Sequence, residues 1–510
     1  MWPRFGIKIG NSTLCIAFVK SDGKIEVIAN KQGDRVSQAC LLWAGGEEIE
    51  CGLTAQQKMA SRPKQAVVNS FQLFMPHEEL TDEKIVVATK EITCAYDAEC
   101  HEFELHVANS GSDEAPTRKI SPFDVHVQLL KSEFELARQY LDTGSEQKPI
   151  VVLSIPSYYS TTAWAPLAQA AEEAGFHVGQ IITEPTAAVL AYGIGECNGA
   201  EQSNKLPTTS KHVLSIKCGG LYSHFALYEL TNGLYTIMNC KGPFSIGGKQ
   251  HTEALVQFIC QEFYKKFKLD PHESRRSMAK IRAAATSCKH ILTTLPSTQI
   301  YIDSLMDGVD FNMQMSRARF ESLIQPVINN FMQTLNEVVD KMFEQNSEVQ
   351  KIDEIVLLGA TMQIPKLQSA ISTRFPEAKL NATLSADEVV AIGCARQATY
   401  LTDPEGQDVE ATEECVCVDT DAFIWHGENE ANAKVLLRKG TLLPSVITVD
   451  IQSDTAAKTE EDDGVDVFHI KVGDEVNKVC LKDATVSAEG IFKIEADVTS
   501  SETLQIQQRL

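Results

Sequence analysis

The chain has 510 residues, of which 43% are hydrophobic and 23% charged, so wholesale disorder is excluded and roughly two to four domains are expected. Its 69 acidic and 46 basic residues give a formal net charge of −23, which disfavours direct binding to nucleic acid or to an anionic membrane. The sequence predicts neither a membrane span nor a secretory leader. Its 14 cysteines include no CxxC pair, so reduced cytosolic thiols are expected rather than a structural metal site.

A β-hairpin with a glycine turn is predicted twice. Ile7-Lys8-Ile9-Gly10 and the small polar residues after it are followed by an apolar run at 14–19, a pattern typical of two strands joined by a tight turn. The same unit recurs as Ile216-Lys217-Cys218-Gly219, followed by an apolar run at 225–228. Two such units in one chain predict a duplicated domain with two similar lobes.

The segments between these hairpins alternate between helix and strand. An N-cap and a first-turn proline at 121–122 predict a helix over 125–141. A buried strand over 149–155 leads into an alanine-rich helix that ends at Gly175, and a strand and a helix alternate again between 180 and 192. This alternation predicts an α/β fold.

The composition changes after residue 401. Residues 403–414 are acidic and contain no Lys or Arg, which predicts a solvated linker, and 197–211 reads as a polar insertion. Short β-like runs then predict an all-β module, at 415–418, 435–437, 446–451, 465–472, 476–481 and 491–496.

Four glycine turns are candidates for binding a polyphosphate, because backbone N–H groups at such turns can approach an anion. They lie at Gly10–Thr13, Gly219–Gly220, Gly247–Gly248 and Gly359–Thr361. Each one alone is more often only a turn. Neither a P-loop nor GxGxxG follows a predicted strand, which argues against those two nucleotide folds.

Several separate motifs resemble the seventy-kilodalton heat-shock chaperone family. They are Ile155-Pro156 with Glu184–Gly193, Ile302–Leu305 with Ser316–Glu321, and Ile364–Leu367 with Asp387-Glu388. The resemblance spans nearly the whole chain. It implies an α/β fold in which an actin-like, two-lobed ATPase domain, a duplicated ribonuclease-H-like fold, precedes a small all-β sandwich.

The resemblance also implies the boundaries of the domains. The nucleotide-binding domain is expected at 1–401, with lobe I at about 1–192, lobe II at about 212–380 and a return to lobe I by 401. An acidic linker at 402–414, without the family's leucine-rich run, and a truncated β-sandwich at 415–510 without a helical lid are expected to follow. Coupling between the two domains through this linker is therefore doubtful.

Carried over residue by residue, the resemblance implies ATP between the lobes. The phosphate-binding residues would be Gly10, Asn11, Ser12, Thr13, Gly219, Gly220, Leu221, Tyr222, Gly247 and Gly248, together with Lys8 and Lys217. The nucleoside-binding residues would be Lys289, Thr293, Gly359, Ala360, Thr361, Gln363 and Asp387. Glu184 matches a carboxylate near the metal and the attacking water, and would be a remnant of the catalytic site.

Departures from the family pattern predict the loss of hydrolysis, because phosphoryl transfer needs a bound Mg²⁺ and a cationic group on the transferred phosphate. Lys8 and Lys217 replace two aspartates that organise the metal, and Phe71 replaces the catalytic lysine. His224 replaces a further aspartate, and Gln363 the adenine-stacking arginine. We therefore expect no metal site, ATP bound without Mg²⁺, and hydrolysis that is absent or very slow.

Two interpretations of Lys8 and Lys217 remain open. Their ammonium groups could bind phosphate oxygens directly, or the cleft could be empty and each lysine solvated or paired with an acid such as Glu184. Two ammonium groups about 4 Å apart repel by roughly 1–4 kcal/mol, so an anion or an acid between them is expected. Phe71 could simply fill space with apolar bulk. Trp164 stands where the family has an arginine that faces the J-domain surface. It could be ordinary packing or part of an altered partner surface.

The leading hypothesis follows from the divergent cleft, the altered linker and the absent lid. These features resemble a branch of the family that pairs with a J-domain co-chaperone in the cytosolic ribosome-associated complex and assists other heat-shock chaperones on nascent or unfolded polypeptides. The ribosome would be reached through that partner. The alternative is an autonomous ATP-driven folding chaperone with ATPase activity, while a sugar kinase and an actin-like filament protein are disfavoured by the trailing sandwich domain.

Overall fold

A computed structural model describes most of the chain. The described residues are 3–59, 61–75, 80–81, 85, 88–89, 92, 94–106, 117–141, 148–194, 210–231, 234–346, 349, 351–401, 422–426, 433–437, 445–452, 465–472, 475–482, 491–498 and 504–508. The predicted linker at 402–414 lies outside them, as does the predicted insertion up to residue 209. The last residue assigned to that insertion was wrongly placed, because Lys211 is the first residue of a strand.

The helices of the described residues are numbered here in chain order. They are α1 (Leu53–Met59), α2 (Pro122–Ala137), α3 (Trp164–Ala174), α4 (Glu184–Ala191), α5 (Gly248–Phe267), α6 (Arg275–Thr294), α7 (Arg317–Leu323), α8 (Gln325–Gln345), α9 (Pro365–Arg374) and α10 (Val389–Ala398).

The strands up to residue 381 are β1 (Arg4–Ile9), β2 (Thr13–Val19), β3 (Ile25–Val27), β4 (Ser37–Gln38), β5 (Cys40–Gly45), β6 (Glu48–Cys51), β7 (Ala66–Val68), β8 (Ala95–Asp97), β9 (Glu102–His106), β10 (Thr117–Ile120), β11 (Ile150–Ile155), β12 (His177–Thr183), β13 (Lys211–Cys218), β14 (Ser223–Thr231), β15 (Leu234–Phe244), β16 (Ser297–Met306), β17 (Val309–Ser316), β18 (Glu354–Leu358) and β19 (Lys379–Asn381). Those after it are β20 (Ala422–His426), β21 (Lys434–Leu437), β22 (Ser445–Gln452), β23 (Val465–Val472), β24 (Glu475–Lys482), β25 (Ile491–Val498) and β26 (Leu504–Gln508).

Two central sheets have the same strand order. One sheet runs β12-β11-β1-β2-β3 and the other runs β19-β18-β13-β14-β15, and the parts of the chain packed around them are called lobe I and lobe II here. Each contains a hairpin whose first strand pairs in parallel with a later strand, β1 with β11 and β13 with β18. The short repeat recognised in the sequence therefore corresponds to a repeat of the whole sheet topology.

The central strands are buried because helices cover both faces of each mixed sheet, in which three strands pair in parallel and the hairpin strands pair antiparallel. All six residues of β11 are buried, which agrees with the continuous apolar run seen in the sequence. The predicted alanine-rich helix is α3, which ends just before Gly175. Gly175 has a φ of +113°, the left-handed conformation that commonly ends a helix. The helix predicted over 125–141 is shorter, because α2 ends at Ala137 and a 3-10 turn follows it.

Two glycines allow α10 to pack closely against β1 and α4. A Cβ at Gly6 of β1 would lie 2.0 Å from the backbone nitrogen of Ala395, and one at Gly393 would lie 1.6 Å from the carbonyl oxygen of Ala187. No side chain fits in either gap. The helix α4 shares one apolar cluster with strands of both central sheets, so its first residue, Glu184, is held where the two lobes meet.

The strands after residue 421 form two antiparallel sheets, in the orders β21-β20-β23-β24 and β22-β25-β26. The β runs predicted from 435 onwards are confirmed as β21 to β25, and the run at 415–418 lies outside the described residues. In the part of the chain that the structure describes, no helix is both long and apolar enough to cross a lipid bilayer.

Candidate functional site

The two hairpin turns share one geometry. The backbone nitrogen of Gly10 donates to the carbonyl oxygen of Thr13 at 3.0 Å, and that of Gly219 donates to Tyr222 at 2.9 Å. The turns also face each other, because a Cβ at Gly220 would lie 2.6 Å from Oγ of Ser12. Two glycine turns at the ends of matching strands therefore meet between the lobes, the arrangement that could hold a polyphosphate between backbone N–H groups.

Lys8 and Lys217 occupy matching positions one residue before each strand ends. Lys8 pairs with Cys15 across its hairpin, and Lys217 pairs with His224 across the other. The Lys8 side chain is nearly buried, with 8% exposure, and its Nζ donates to Oγ1 of Thr13 at 2.7 Å. Burial lowers the pKa of Lys8, and the carboxylate of Glu184 partly opposes that shift.

Glu184 and Lys217 form an ion pair between the lobes. Glu184 is the first residue of α4 and is 1% exposed, while 13% of the Lys217 side chain is exposed. Nζ of Lys217 donates to Oε2 of Glu184. Lys217 thus has the acid partner foreseen by one of the two interpretations, whereas Lys8 is bound to a neutral hydroxyl.

The Gly247-Gly248 pair supports the second turn from the start of α5. The backbone nitrogens of Gly248 and Lys249 donate to the carbonyl oxygens of Gly219 and Gly220, at 2.9 and 2.8 Å. A Cβ at Gly247 would lie 2.8 Å from the carbonyl oxygen of Gly220, so only glycine fits there. The backbone N–H groups at the helix N-terminus therefore bind the carbonyl oxygens of the turn.

The predicted adenosine loop lies beside the same turn. Gly359 has a φ of +85°, and a Cβ on it would lie 2.4 Å from the carbonyl oxygen of Cys218. Oγ1 of Thr361 donates to the carbonyl oxygen of Gly219 at 3.0 Å, and Ala360 begins the intervening 3-10 turn. The loop after β18 is thereby fixed against the loop after β13.

Lys289 of α6 binds the start of α5, whereas Thr293 bonds within its own helix. Nζ of Lys289 donates to the carbonyl oxygen of Gly248 at 3.1 Å and to Oγ1 of Thr252 at 2.9 Å. Burial lowers the pKa of Lys289 to about 8. The Thr293 hydroxyl donates to the carbonyl oxygen of His290 at 2.7 Å.

Gln363 and Asp387 are joined in a polar network. Nε2 of Gln363 donates to Oδ1 of Asp387 at 2.8 Å and to Oγ of Ser385 at 2.9 Å. Oγ of Ser385 in turn donates to the same Asp387 oxygen at 2.6 Å. The amide of Gln363 is neutral, so this position lacks the planar cation that stacks on adenine in the family pattern.

Phe71 is part of the lobe I core. Its ring stacks on Tyr159 at a centroid distance of 5.1 Å and contacts His126 and Phe74 at 5.1 and 5.7 Å. The Tyr159 hydroxyl donates to the carbonyl oxygen of Phe71. Phe71 therefore lies in an apolar environment, which agrees with its interpretation as packing bulk.

Sequence reasoning missed Gln72 and Tyr158. The Tyr222 hydroxyl donates to Oε1 of Gln72 at 2.9 Å, across the lobes, and the Tyr158 ring contacts those of Tyr222 and His224 at 6.0 and 6.1 Å. One signal for Tyr158 was available, because it follows the carboxyl end of the central strand β11, where α/β sheets bind ligands.

Burial, and then the charge of Lys217, holds the pKa of His224 well below its usual value, so its imidazole is neutral.

Trp164 begins α3 and packs against the lobe I core. It is one of the partly buried residues around that core, and its indole N–H has no hydrogen-bond partner among the described residues. The structure thus shows packing at this position.

The cleft does not suit Mg²⁺, which prefers oxygen ligands in octahedral geometry. Of the nearby carboxylates, Glu184 is paired with Lys217 and Asp387 accepts from Gln363 and Ser385. Within the described residues no group of three or more His, Cys, Asp and Glu side chains is placed to hold a metal ion. The donor set near the turns is dominated by two ammonium groups.

Comparisons with known proteins agree with the motifs. A family model described as Hsp70 protein matches residues 4–422. Heat shock 70 kDa protein 14 of Bos taurus is 30% identical over 509 residues, covering 97% of this chain and 94% of the relative. The human protein of that name is 31% identical over 450 residues, covering 86% and 82%. The resemblance inferred from the sequence is confirmed, and the chain belongs to the Hsp70 family of nucleotide-binding chaperones.

Proposed function

We propose that this chaperone binds ATP through Lys8 and Lys217 without Mg²⁺ and hydrolyses it very slowly or not at all. The observation that carries the proposal is the matching placement of these two lysines beside two facing glycine turns. Ammonium groups donate charge-assisted hydrogen bonds to phosphate oxygens. They can therefore supply the positive charge for which related ATPases use a divalent ion.

The residues around the turns favour the binding of ATP over its hydrolysis. Hydrolysis needs a positioned water and a cation on the transferred phosphate. Phe71 is apolar and lies in the core, and Glu184 is already paired with Lys217. The turns at Gly10–Thr13 and Gly219–Tyr222 would bind phosphate, and the loop at Gly359–Gln363, Lys289 and Asp387 would form the nucleoside side. ATP would then act as a structural ligand.

In the cell, this chaperone is proposed to act in the cytosol with a J-domain co-chaperone on nascent chains at the ribosome. The formal charge of −23 supports an indirect contact, because a basic partner could bind ribosomal RNA where this acidic chain does not. The two antiparallel sheets after residue 421 are the candidate contact for unfolded polypeptide or for other chaperones. Native co-purification from cytosol, read for a J-domain protein and ribosomes, tests this part, and its repeated absence would refute it.

The nucleotide part is tested by calorimetry of the purified full chain with ATP, with Mg²⁺ and with a chelator. We expect the affinity for ATP to change less than about threefold on chelation. Such a change corresponds to less than about 1 kcal/mol of binding free energy contributed by the metal. Lys8→Met and Lys217→Met should both weaken binding, whereas Lys366→Met, which removes an exposed charge on α9, serves as the matched control. A strict requirement for Mg²⁺ would refute metal-free binding.

The alternative is an autonomous folding chaperone with ATPase activity. Steady-state hydrolysis of ATP, measured with and without a J-domain, separates the two functions. Turnover stimulated by the J-domain would establish the alternative.

A further inference from the structure

The ion pair between Glu184 and Lys217 ties up one of the two ammonium groups that the proposed function needs. We infer that Glu184 is an internal competitor of phosphate: its carboxylate occupies Lys217 and thereby lowers the affinity of the cleft for a triphosphate. The inference rests on the proposed function and concerns how the same site is regulated. It gives Glu184 an autoinhibitory role instead of the role of a catalytic remnant.

Glu184 is held in place much more firmly than Lys217. All eight residues of α4 are buried, and the helix is locked against α10 by the contact between Gly393 and Ala187. A carboxylate in the first turn of a helix is also favoured by the helix dipole. The lysine, by contrast, has a flexible four-carbon chain and keeps 13% of its side chain exposed. Binding of phosphate at Lys217 must therefore draw the lysine away from a fixed carboxylate.

The charges around the turns explain why this competition lowers affinity. Lys8 and Lys217 contribute two positive charges, and Glu184 cancels one of them, so an arriving anion meets a net charge of about +1 instead of about +2. Electrostatic attraction is stronger in a partly desolvated cleft than in water, so the lost interaction is significant there. The anion also meets direct repulsion from the Glu184 carboxylate.

Neutralising Glu184 should therefore strengthen binding. A carboxylate that only repelled the phosphates would give the same gain whether or not Lys217 is present. The dependence of the gain on Lys217 thus distinguishes competition for this lysine from simple repulsion.

The test is calorimetry of the full chain with ATP in chelator, comparing wild type with Glu184→Gln. We expect Glu184→Gln to bind about tenfold more tightly or better, which corresponds to about 1.4 kcal/mol. Inorganic triphosphate, used as a second probe, should show the same gain, because the effect is on phosphate rather than on the base. Glu173→Gln on α3 removes one exposed negative charge and is the matched control, with a change below about twofold expected.

A double-mutant cycle shows whether the gain passes through Lys217. In a Lys217→Met background, Glu184→Gln should give a clearly smaller gain in the affinity for ATP than it gives in wild type, because it then relieves only the repulsion by the carboxylate and releases no cation. Thermal unfolding of each variant checks that it is folded. Should Glu184→Gln fail to fold, Glu184→Asp keeps the charge but retracts it by one methylene, and a smaller gain of about threefold is expected.

The outcomes separate this inference from the proposed function. If wild type binds ATP without metal and the Glu184 variants bind no more tightly, competition is wrong and the proposed function stands. A gain that is as large in the Lys217→Met background as in wild type also overturns it. If neither wild type nor the variants bind ATP, both ideas are wrong.

Discussion

The hydroxyl of Tyr222 donates a 2.9 Å hydrogen bond to Oε1 of Gln72 and so joins the second glycine turn to the segment beside Phe71. Tyr222 belongs to lobe II and Gln72 to lobe I, as Lys217 and Glu184 do in the neighbouring ion pair. The second turn is therefore tied to lobe I at both of its ends by side chains of the protein itself.

Tyr222→Phe should loosen the second turn without unfolding the protein. The variant keeps the ring and its contact with Tyr158 but removes the hydrogen bond to Gln72, at a cost of about 0.5–1.5 kcal/mol. We expect faster amide hydrogen exchange at residues 219–222 and little change elsewhere. Tyr301→Phe is the matched control, because it removes an exposed hydroxyl bond to Asp310 in β17. Unchanged exchange at the turn in Tyr222→Phe would show that the bond does not restrain it.

Local sequence patterns predicted the parts of the site that local structure determines. Lys8 and Lys217 were found as a matching pair because a strand, a glycine turn and a second strand leave a pattern within a dozen residues. The bond between Tyr222 and Gln72 joins residues 150 positions apart, and it depends on how the lobes meet. The sequence allowed an acid partner for Lys217 and proposed Glu184, but it offered no way to choose that pairing over phosphate.

Lys8→Asp combined with Lys217→Asp should not restore hydrolysis. Two added carboxylates beside Glu184 would supply oxygen ligands for Mg²⁺, so metal-dependent binding of ATP is expected to appear. Turnover should still be negligible, because Phe71 provides no cation for the transferred phosphate. Steady-state phosphate release, measured with and without Mg²⁺, checks this. Robust hydrolysis by the double variant would mean that Phe71 is not the limiting substitution.

Phe71→Ala should destabilise lobe I strongly. The side chain is fully buried and packs against Phe74, His126 and Tyr159, so its truncation leaves a large cavity. We expect a loss of about 3–5 kcal/mol in the free energy of unfolding, measured by denaturant titration. Tyr264→Ala, which truncates a mostly exposed ring on α5, should cost less than about 1 kcal/mol. Equal effects of the two substitutions would contradict the packing assigned to Phe71.

Glu133 of α2 should make the protein less stable as the pH rises toward neutral. Burial raises the pKa of this carboxyl from 4.5 to about 7, and both of its oxygens are buried without a hydrogen-bond partner among the described residues. The folded state therefore keeps a proton that the unfolded state loses between these two values, so the free energy of unfolding falls as the pH rises through that window and levels off above it. The shift corresponds to about 3 kcal/mol.

Glu133→Gln should remove most of this pH dependence, because the amide cannot ionise. Chemical denaturation between pH 5 and pH 8 measures the effect, and the variant is expected to gain stability over wild type at pH 8 but not at pH 5. Glu135→Gln changes an exposed carboxylate on the same helix, which pairs with Arg138 at the surface, and should leave the pH dependence of the stability as it is in wild type. If Glu133→Gln and wild type lose the same stability between the two pH values, the proton does not reside on Glu133, and the buried carboxyl is ionised in the folded state.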